Sequence, residues 1–339
     1  IESWYNVQKA EDWSLETSQQ KDRKNKIFTH IHDQITFNPL KMRGLSPTIL
    51  WITAASLLMV AFAILFNQTR WAHSDALAEI DKFKPGQQKA ILKLDDGTSF
   101  DLKGGKSGIK IVNDIAVYLD GSPITAGDLH SRELIVEIPK GGQYEVNLPD
   151  GSKVWLNSAS TLTYPIQFTA EKREVSLTGE GYFEVSKNPH KPFIVRSREQ
   201  EVKVLGTKFN ISSYSNRQFV ETTLLEGSIN VNRHLLVPGQ RSLISNVSIQ
   251  ILPANIEAAI AWKKGYFQFN NESLDQILAT LSRWYNVEFE YENPSIRQLT
   301  FWGSIDKNQS LSKTLSFFES TNQLKFRYEN GKITVHQKR

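Results

Sequence analysis

Cysteine is absent from the 339 residues. That excludes disulfide scaffolds, thiolate zinc sites, iron–sulfur clusters and cysteine nucleophiles. The short motifs that carry much catalytic chemistry are missing too: there is no G-x-S-x-G elbow, no phosphate loop and no H-E-x-x-H. "GGKSG" at 104–108 lacks the spacing of a phosphate loop and falls among strand-like runs, so it reads as a turn. The seven histidines are scattered, and His30 and His32, two apart, point away from each other on a helix. No strong excess of charge exists either. A net charge of +4 with 22% charged residues argues against a dedicated nucleic-acid binder, which concentrates Lys and Arg on one face. No metal or cofactor is expected, and a non-enzymatic interaction protein fits better than an enzyme.

What the chain does contain is one long apolar run, "ILWITAASLLMVAFAILF", from Ile49 to Phe66, with no charge in its 18 residues. As a helix rising about 1.5 Å per residue it reaches roughly 27 Å, close to the ~30 Å hydrocarbon core of a bilayer. Core helices of soluble domains rarely stay apolar on every face for so long. A cleaved signal peptide fits poorly, since its apolar region is shorter and nearer the start, although "ALA" at 76–78 has a cleavage-like pattern. A single transmembrane helix over 49–66 is therefore expected. Lys21, Arg23, Lys24, Lys26, Lys41 and Arg43 precede the run, while Arg70 and Lys82 follow more sparsely. The positive-inside rule places residues 1–48 in the cytoplasm, and Trp51 and Trp71 fall near the two interfaces. The first residue is Ile1, not methionine, so the natural start is expected upstream.

Within 1–48, Ile27, Phe28, Ile31 and Ile35 fall at helical spacing, a narrow stripe that needs a partner to be stable. Residues 67–87 read as a polar connector. From 88 to 253 the texture is that of short strands broken by turns. "AILKLDDGTSFDL" (90–102) and "YEVNLPDGSKVWLN" (144–157) each read as strand, Asp-Gly turn, strand. Many such strands at intervals near 8–12 residues imply a sandwich, barrel or β-solenoid. "VKVLGTKFNI" (202–211) reads as a strand with a Gly-Thr step at its centre, where glycine marks a bulge or a close backbone approach. Glu180 and Glu184 in "GEGYFEV" share one side of a strand and read as an exposed polar face.

The final part, 262–339, changes again. "SLDQILATLSRWYNVEFEY" (273–291) and "SLSKTLSFFESTNQLKFRY" (310–328) align at an offset of 37, with Leu274 on Leu311, Leu278 on Leu315 and Leu281 on Phe318. In each copy a serine stands at the N-cap, a helical apolar stripe follows, and an alternating strand closes the unit. With "YFQF", "LTFWGS" and "GKITVH" supplying further strands, two βαβ units form a small α+β domain. The fold class is mainly β with a C-terminal α+β domain.

"LPDGSKVWLNSASTLTYP" (148–165), "REVSLTGEGYFEVSKNPHKPFIV" (173–195), "VKVLGTKFNISSY" (202–214), "TTLLEGSINV" (222–231), "LVPGQ" (236–240) and "WKKGYFQFNNESLDQIL" (262–278) resemble the FecR family of membrane anti-sigma factors, in the form common in Bacteroidetes-type bacteria. The resemblance covers roughly 85–339 and implies a single-pass inner-membrane protein, N-terminus cytoplasmic and C-terminus periplasmic. It implies a cytoplasmic segment that binds an extracytoplasmic-function (ECF) sigma factor, for which Trp4, Tyr5, Trp13, Ile27, Phe28 and Ile31 are the candidate anchors. It implies a periplasmic part that meets the N-terminal signalling domain of a TonB-dependent outer-membrane transporter, so that uptake of a nutrient, an iron chelate or a glycan, controls transcription. It further implies a β-solenoid-like module followed by a module similar to the short N-terminal domain of secretins and TonB-dependent receptors. In that module Phe301 and Trp302 are the candidate transporter contacts, on a strand edge able to accept another strand. Some iron-regulating relatives cleave themselves at a Gly-Thr bond in this motif, which makes Gly206 and Thr207 candidates for a single-turnover N-to-O acyl shift with Thr207 as nucleophile. The plainer alternative is a bulge at Gly206. Two other classes stay open at this point: a membrane-anchored glycan- or peptidoglycan-binding β protein, and a secretion-system component.

Overall fold

The computed structural model describes residues 59–60, 79–102, 104–106, 108–125, 132–245 and 248–338. Apart from Met59 and Val60, the apolar run at 49–66 lies outside these residues, as does all of 1–48. Among the described residues no helix is long and apolar enough to cross a membrane. The elements below belong to the unit Thr69–Arg339.

Asp-Gly turns work as their chemistry dictates. Gly97 and Gly151 take positive φ between Ala90–Leu94 and Ser99–Leu102, and between Gly142–Asn147 and Lys153–Leu156. Hairpins of this kind feed two sheets. The first runs Ser99–Leu102, Ala90–Leu94, Glu133–Ile138, Ser160–Pro165, the first half of Arg173–Glu184, Phe193–Ser197, Gln200–Val204, Ile229–Val231 and His234–Leu236. The second runs Ile115–Tyr118, Ile109–Val112, Gly142–Asn147, Lys153–Leu156, the second half of Arg173–Glu184, Lys208–Ser213, Val220–Glu226, Gln240–Ser245 and Ser248–Pro253. The chain changes sheet after every one or two strands. Inward residues of both sheets, such as Leu134, Val136, Tyr144, Val146, Phe183 and Phe209, form one apolar cluster, so the core lies between the sheets. The expected mainly β class is what the structure has.

The strand expected over 202–211 is interrupted. Gln200–Val204 belongs to the first sheet and Lys208–Ser213 to the second, so Leu205–Thr207 carries the chain across. A period-2 pattern does not show a change of sheet, because both halves keep burying alternate residues.

After the β domain comes a short helix, α1 (Ile256–Ile260), which the sequence reading did not include. The two longer helices are α2 (Leu274–Tyr285), capped by Ser273, and α3 (Leu311–Glu319), capped by Ser310. Asn286 at φ 51° ends α2 in the left-handed conformation suited to a C-terminal stop. The order strand, helix, strand occurs twice as expected, but the strands flanking each helix fall in different sheets. Tyr266–Ser273 pairs antiparallel with Thr300–Asp306, whereas Phe289–Tyr291, Lys332–Gln337 and Leu324–Glu329 form a separate three-stranded sheet. The apolar faces of α2 and α3 meet both sheets in a second core.

Candidate functional site

A cluster of buried polar groups lies where the β domain meets the C-terminal domain. A turn after α1 lays Trp262 against the second sheet, with its indole Nε1 donating to Asn210 Oδ1 at 3.2 Å. Asn210 Nδ2 in turn donates to Glu180 Oε1 at 3.1 Å, and Asn157 Nδ2 donates to Glu180 Oε2 at 2.8 Å. Lys263 next door stands 3.7 Å over the Trp155 ring and 3.5 Å from Glu184. The face carrying Glu180 and Glu184 is thus covered rather than open to solvent as the alternation suggested, because a segment about 80 residues later folds over it.

Lys307, which follows strand Thr300–Asp306, is 2% exposed. Its Nζ donates to Gln143 Oε1 of the β domain and to the Trp262 carbonyl, both at 3.2 Å, and lies 3.7 Å from the Trp284 ring centre. Burial pushes its pKa down to about 7, with Glu180 pulling the other way. Trp284 Nε1 donates to the Lys307 carbonyl at 2.9 Å, and the Gly141 amide donates to the Arg283 carbonyl at 2.7 Å. The Arg283 guanidinium stacks 3.9 Å from the Tyr214 ring. Burial lowers the Arg283 pKa, partly offset by Tyr214. Arg217 and Glu272 pair across the seam at 3.1 Å, and burial raises the Glu272 carboxyl against the pull of Arg217. Around these groups is a cavity of about 520 Å³, lined from both domains by carboxamides, aromatic rings and charged side chains engaged with one another. Histidine is absent among the described residues of its wall. The arrangement joins the two domains through a network of buried polar contacts.

At the sheet crossing, Gly206 has φ +155°, and a Cβ there would lie 2.7 Å from Lys187 Cα. Only glycine fits. Thr207 is 4% exposed, and its Oγ1 donates to the Ser228 carbonyl at 3.0 Å. That bond fixes the hydroxyl to a neutral acceptor, a poor proton-abstracting group. The close approach anticipated at Gly206 is present, and it serves the crossing between sheets.

Strand Thr300–Asp306 pairs on one side only among the described residues. Phe301 points into the core, edge-to-face with Phe318 of α3 at 5.3 Å, while Trp302 is 66% exposed. The two neighbours therefore separate by face, and of the two only Trp302 is exposed. Trp4, Tyr5, Trp13, Ile27, Phe28 and Ile31 lie outside the described residues. Sequence reasoning missed Lys307, Trp262, Trp284, Arg283 and Asn210. The two tryptophans carried a usable signal, since large aromatics seldom stand idle near a domain junction.

Two family models match the chain: the model described as FecR protein over residues 135–230, and the one described as FecR, C-terminal, over 266–335. Two crystal structures of a candidate anti-sigma factor from Parabacteroides distasonis are similar to it. Each has a TM-score of 0.56 and 28% identity over 60% of this chain, and covers 98% and 99% of the respective solved chain. The comparison with curated protein sequences gave no match.

Proposed function

The chain belongs to the FecR family and has an anti-sigma, signalling role, and from that premise we propose that it is a single-pass inner-membrane regulator holding an ECF sigma factor on its cytoplasmic side. The supporting observation is the succession of an uncharged 18-residue run, a FecR module at 135–230 and a FecR C-terminal module at 266–335. In this reading residues 1–48 bind the sigma factor through Trp4, Tyr5, Trp13, Ile27, Phe28 and Ile31. The 49–66 helix crosses the membrane, and the β and C-terminal domains lie in the periplasm. The passage of strands between two sheets supports the solenoid-like description of the β module. The signalling domain of a TonB-dependent transporter docks on the free edge of Thr300–Asp306, with Trp302 as its anchor. The protein transmits a signal without catalysing a reaction, and Gly206–Thr207 is a structural crossing.

The test is co-purification. The full chain in detergent captures an ECF sigma factor from its own cells, and replacing Phe28 and Ile31 together by Asp abolishes that capture. Reporter fusions place the two ends in different compartments. A sigma factor retained by the doubly substituted chain, or both ends found in one compartment, removes the reading.

A further inference from the structure

The segment that enters the described unit, residues 79–86, packs on the far end of the chain. Ile80 is fully buried in the same apolar cluster as Leu311, Leu315 and Phe318. The Ser312 hydroxyl in the first turn of α3 donates to the Asp81 carboxylate, where the helix dipole favours negative charge. Lys82 Nζ stands 3.5 Å from the Tyr328 ring centre, and Phe83 meets the same ring edge-to-face at 5.7 Å. Gly86 passes flat under Trp284, whose ring carbons would lie 2.6 Å from a Cβ at that position.

The manner of attachment changes abruptly at residue 87. From Gln87 the chain is held by backbone, through parallel pairing with Gly142 and Gln143 and a hydrogen bond that the Gln87 amide donates to the Gly141 carbonyl at 2.9 Å. Before it, among the described residues, no backbone hydrogen bond joins 79–86 to the C-terminal domain; the internal bond is Phe83 N–H to the Ile80 carbonyl at 3.1 Å. Apart from the Gly86 backbone against the Trp284 ring, side chains make the attachment, so it can open without breaking a ladder. The receiving elements are also those that touch the free-edge strand, since Phe301 packs on Phe318 of the same α3 that holds Asp81.

We infer that Ile80–Gly86 is a side-chain clasp that the C-terminal domain releases without unfolding, so that the state of this domain decides whether the chain leading into residue 79 is held or free. A displacement of α3 withdraws the Ser312 hydroxyl, a displacement of strand Leu324–Glu329 withdraws the Tyr328 ring, and the two together let the segment go. The clasp itself follows from these contacts; only its bearing on a membrane helix rests on the function proposed above.

Limited trypsin digestion of the full chain in detergent micelles tests it, with cleavage after Lys82 and after Arg327 followed by mass spectrometry. Lys82 has an exposed side chain on the clasp, the proline after Lys84 blocks the neighbouring cut, and Arg327 lies on a strand of the C-terminal domain. Phe83→Ala removes one anchor, and Gly86→Ala lifts the chain off Trp284. Each is expected to raise cleavage after Lys82 about ten-fold or more while leaving cleavage after Arg327 within about two-fold, because proteolysis tracks the population of the locally opened state. An unchanged rate after Lys82 in both variants overturns the proposal. So does a rise at both sites in step, which would make the segment an inseparable part of the domain fold. Neither failure touches sigma-factor capture, so the two readings stand or fall separately.

Discussion

Gly206 and Thr207 are adjacent, yet they contribute in different ways. At Gly206 the backbone itself is the requirement: φ +155° with Lys187 Cα 2.7 Å from the position of any Cβ. Gly206→Ala must adopt a conformation that L residues avoid and also push a backbone aside, so it is expected to destabilise by roughly 2–3 kcal/mol. Thr207→Ala removes one hydroxyl and leaves the Ser228 carbonyl without that donor, an effect of about 1 kcal/mol. Denaturant midpoints should therefore rank wild type above Thr207→Ala above Gly206→Ala. The pattern of fragments on a gel should be the same for wild type and Thr207→Ala. A fragment that vanishes with the hydroxyl would instead make Thr207 a nucleophile.

At the scale of the element, the free edge of Thr300–Asp306 separates stability from recognition within two residues. Phe301 is 5% exposed and packs on Phe318, so Phe301→Ala leaves a cavity and is expected to destabilise by roughly 3–5 kcal/mol. Trp302 is 66% exposed, so Trp302→Ala should change stability by less than about 0.5 kcal/mol. If the proposed partner docks there, the same change weakens its binding by about 2 kcal/mol or more, read by titrating the isolated transporter domain against the full chain. Equal binding by wild type and Trp302→Ala would move the docking surface elsewhere. The existence of this strand was legible in the sequence, as were the serine caps of α2 and α3 and the Asp-Gly hairpins. Each depends on residues within a few positions of one another. Sheet membership was not legible. Nothing local in "VKVLGTKFNI" distinguishes a bulged strand from two strands in two sheets, and nothing near Phe289 says that its strand pairs with Ile333 rather than with the strand before α2.

Across the whole molecule, the two domains are joined by groups that a sequence presents as surface residues. Lysine is among the residues least often buried, so Lys307 carries no local sign of its place. Its partner Gln143 is 164 positions away, and Asp81 and Ser312 are 231 apart. The buried lysine has a measurable consequence. In the folded protein its pKa is pushed down to about 7, against 10.5 for an ordinary lysine. Between these values the unfolded chain binds more protons than the folded one, so this group makes stability rise as pH increases through the window. Below about pH 7 both states are protonated, and burial of the cation opposes folding in full. The Trp284 face at 3.7 Å stabilises the cation and acts against this trend, but the two acceptors, Gln143 Oε1 and the Trp262 carbonyl, also suit the two N–H groups of a neutral amine. Lys307→Met keeps most of the volume and removes the titration. Urea midpoints at pH 7, 8 and 9 should therefore show the stability of the wild type, measured relative to Lys307→Met, improving with pH, with a slope of at most about 1.4 kcal/mol per pH unit. Parallel curves for the two proteins would mean that the indole face holds the charge and that the seam carries a buried cation throughout this range.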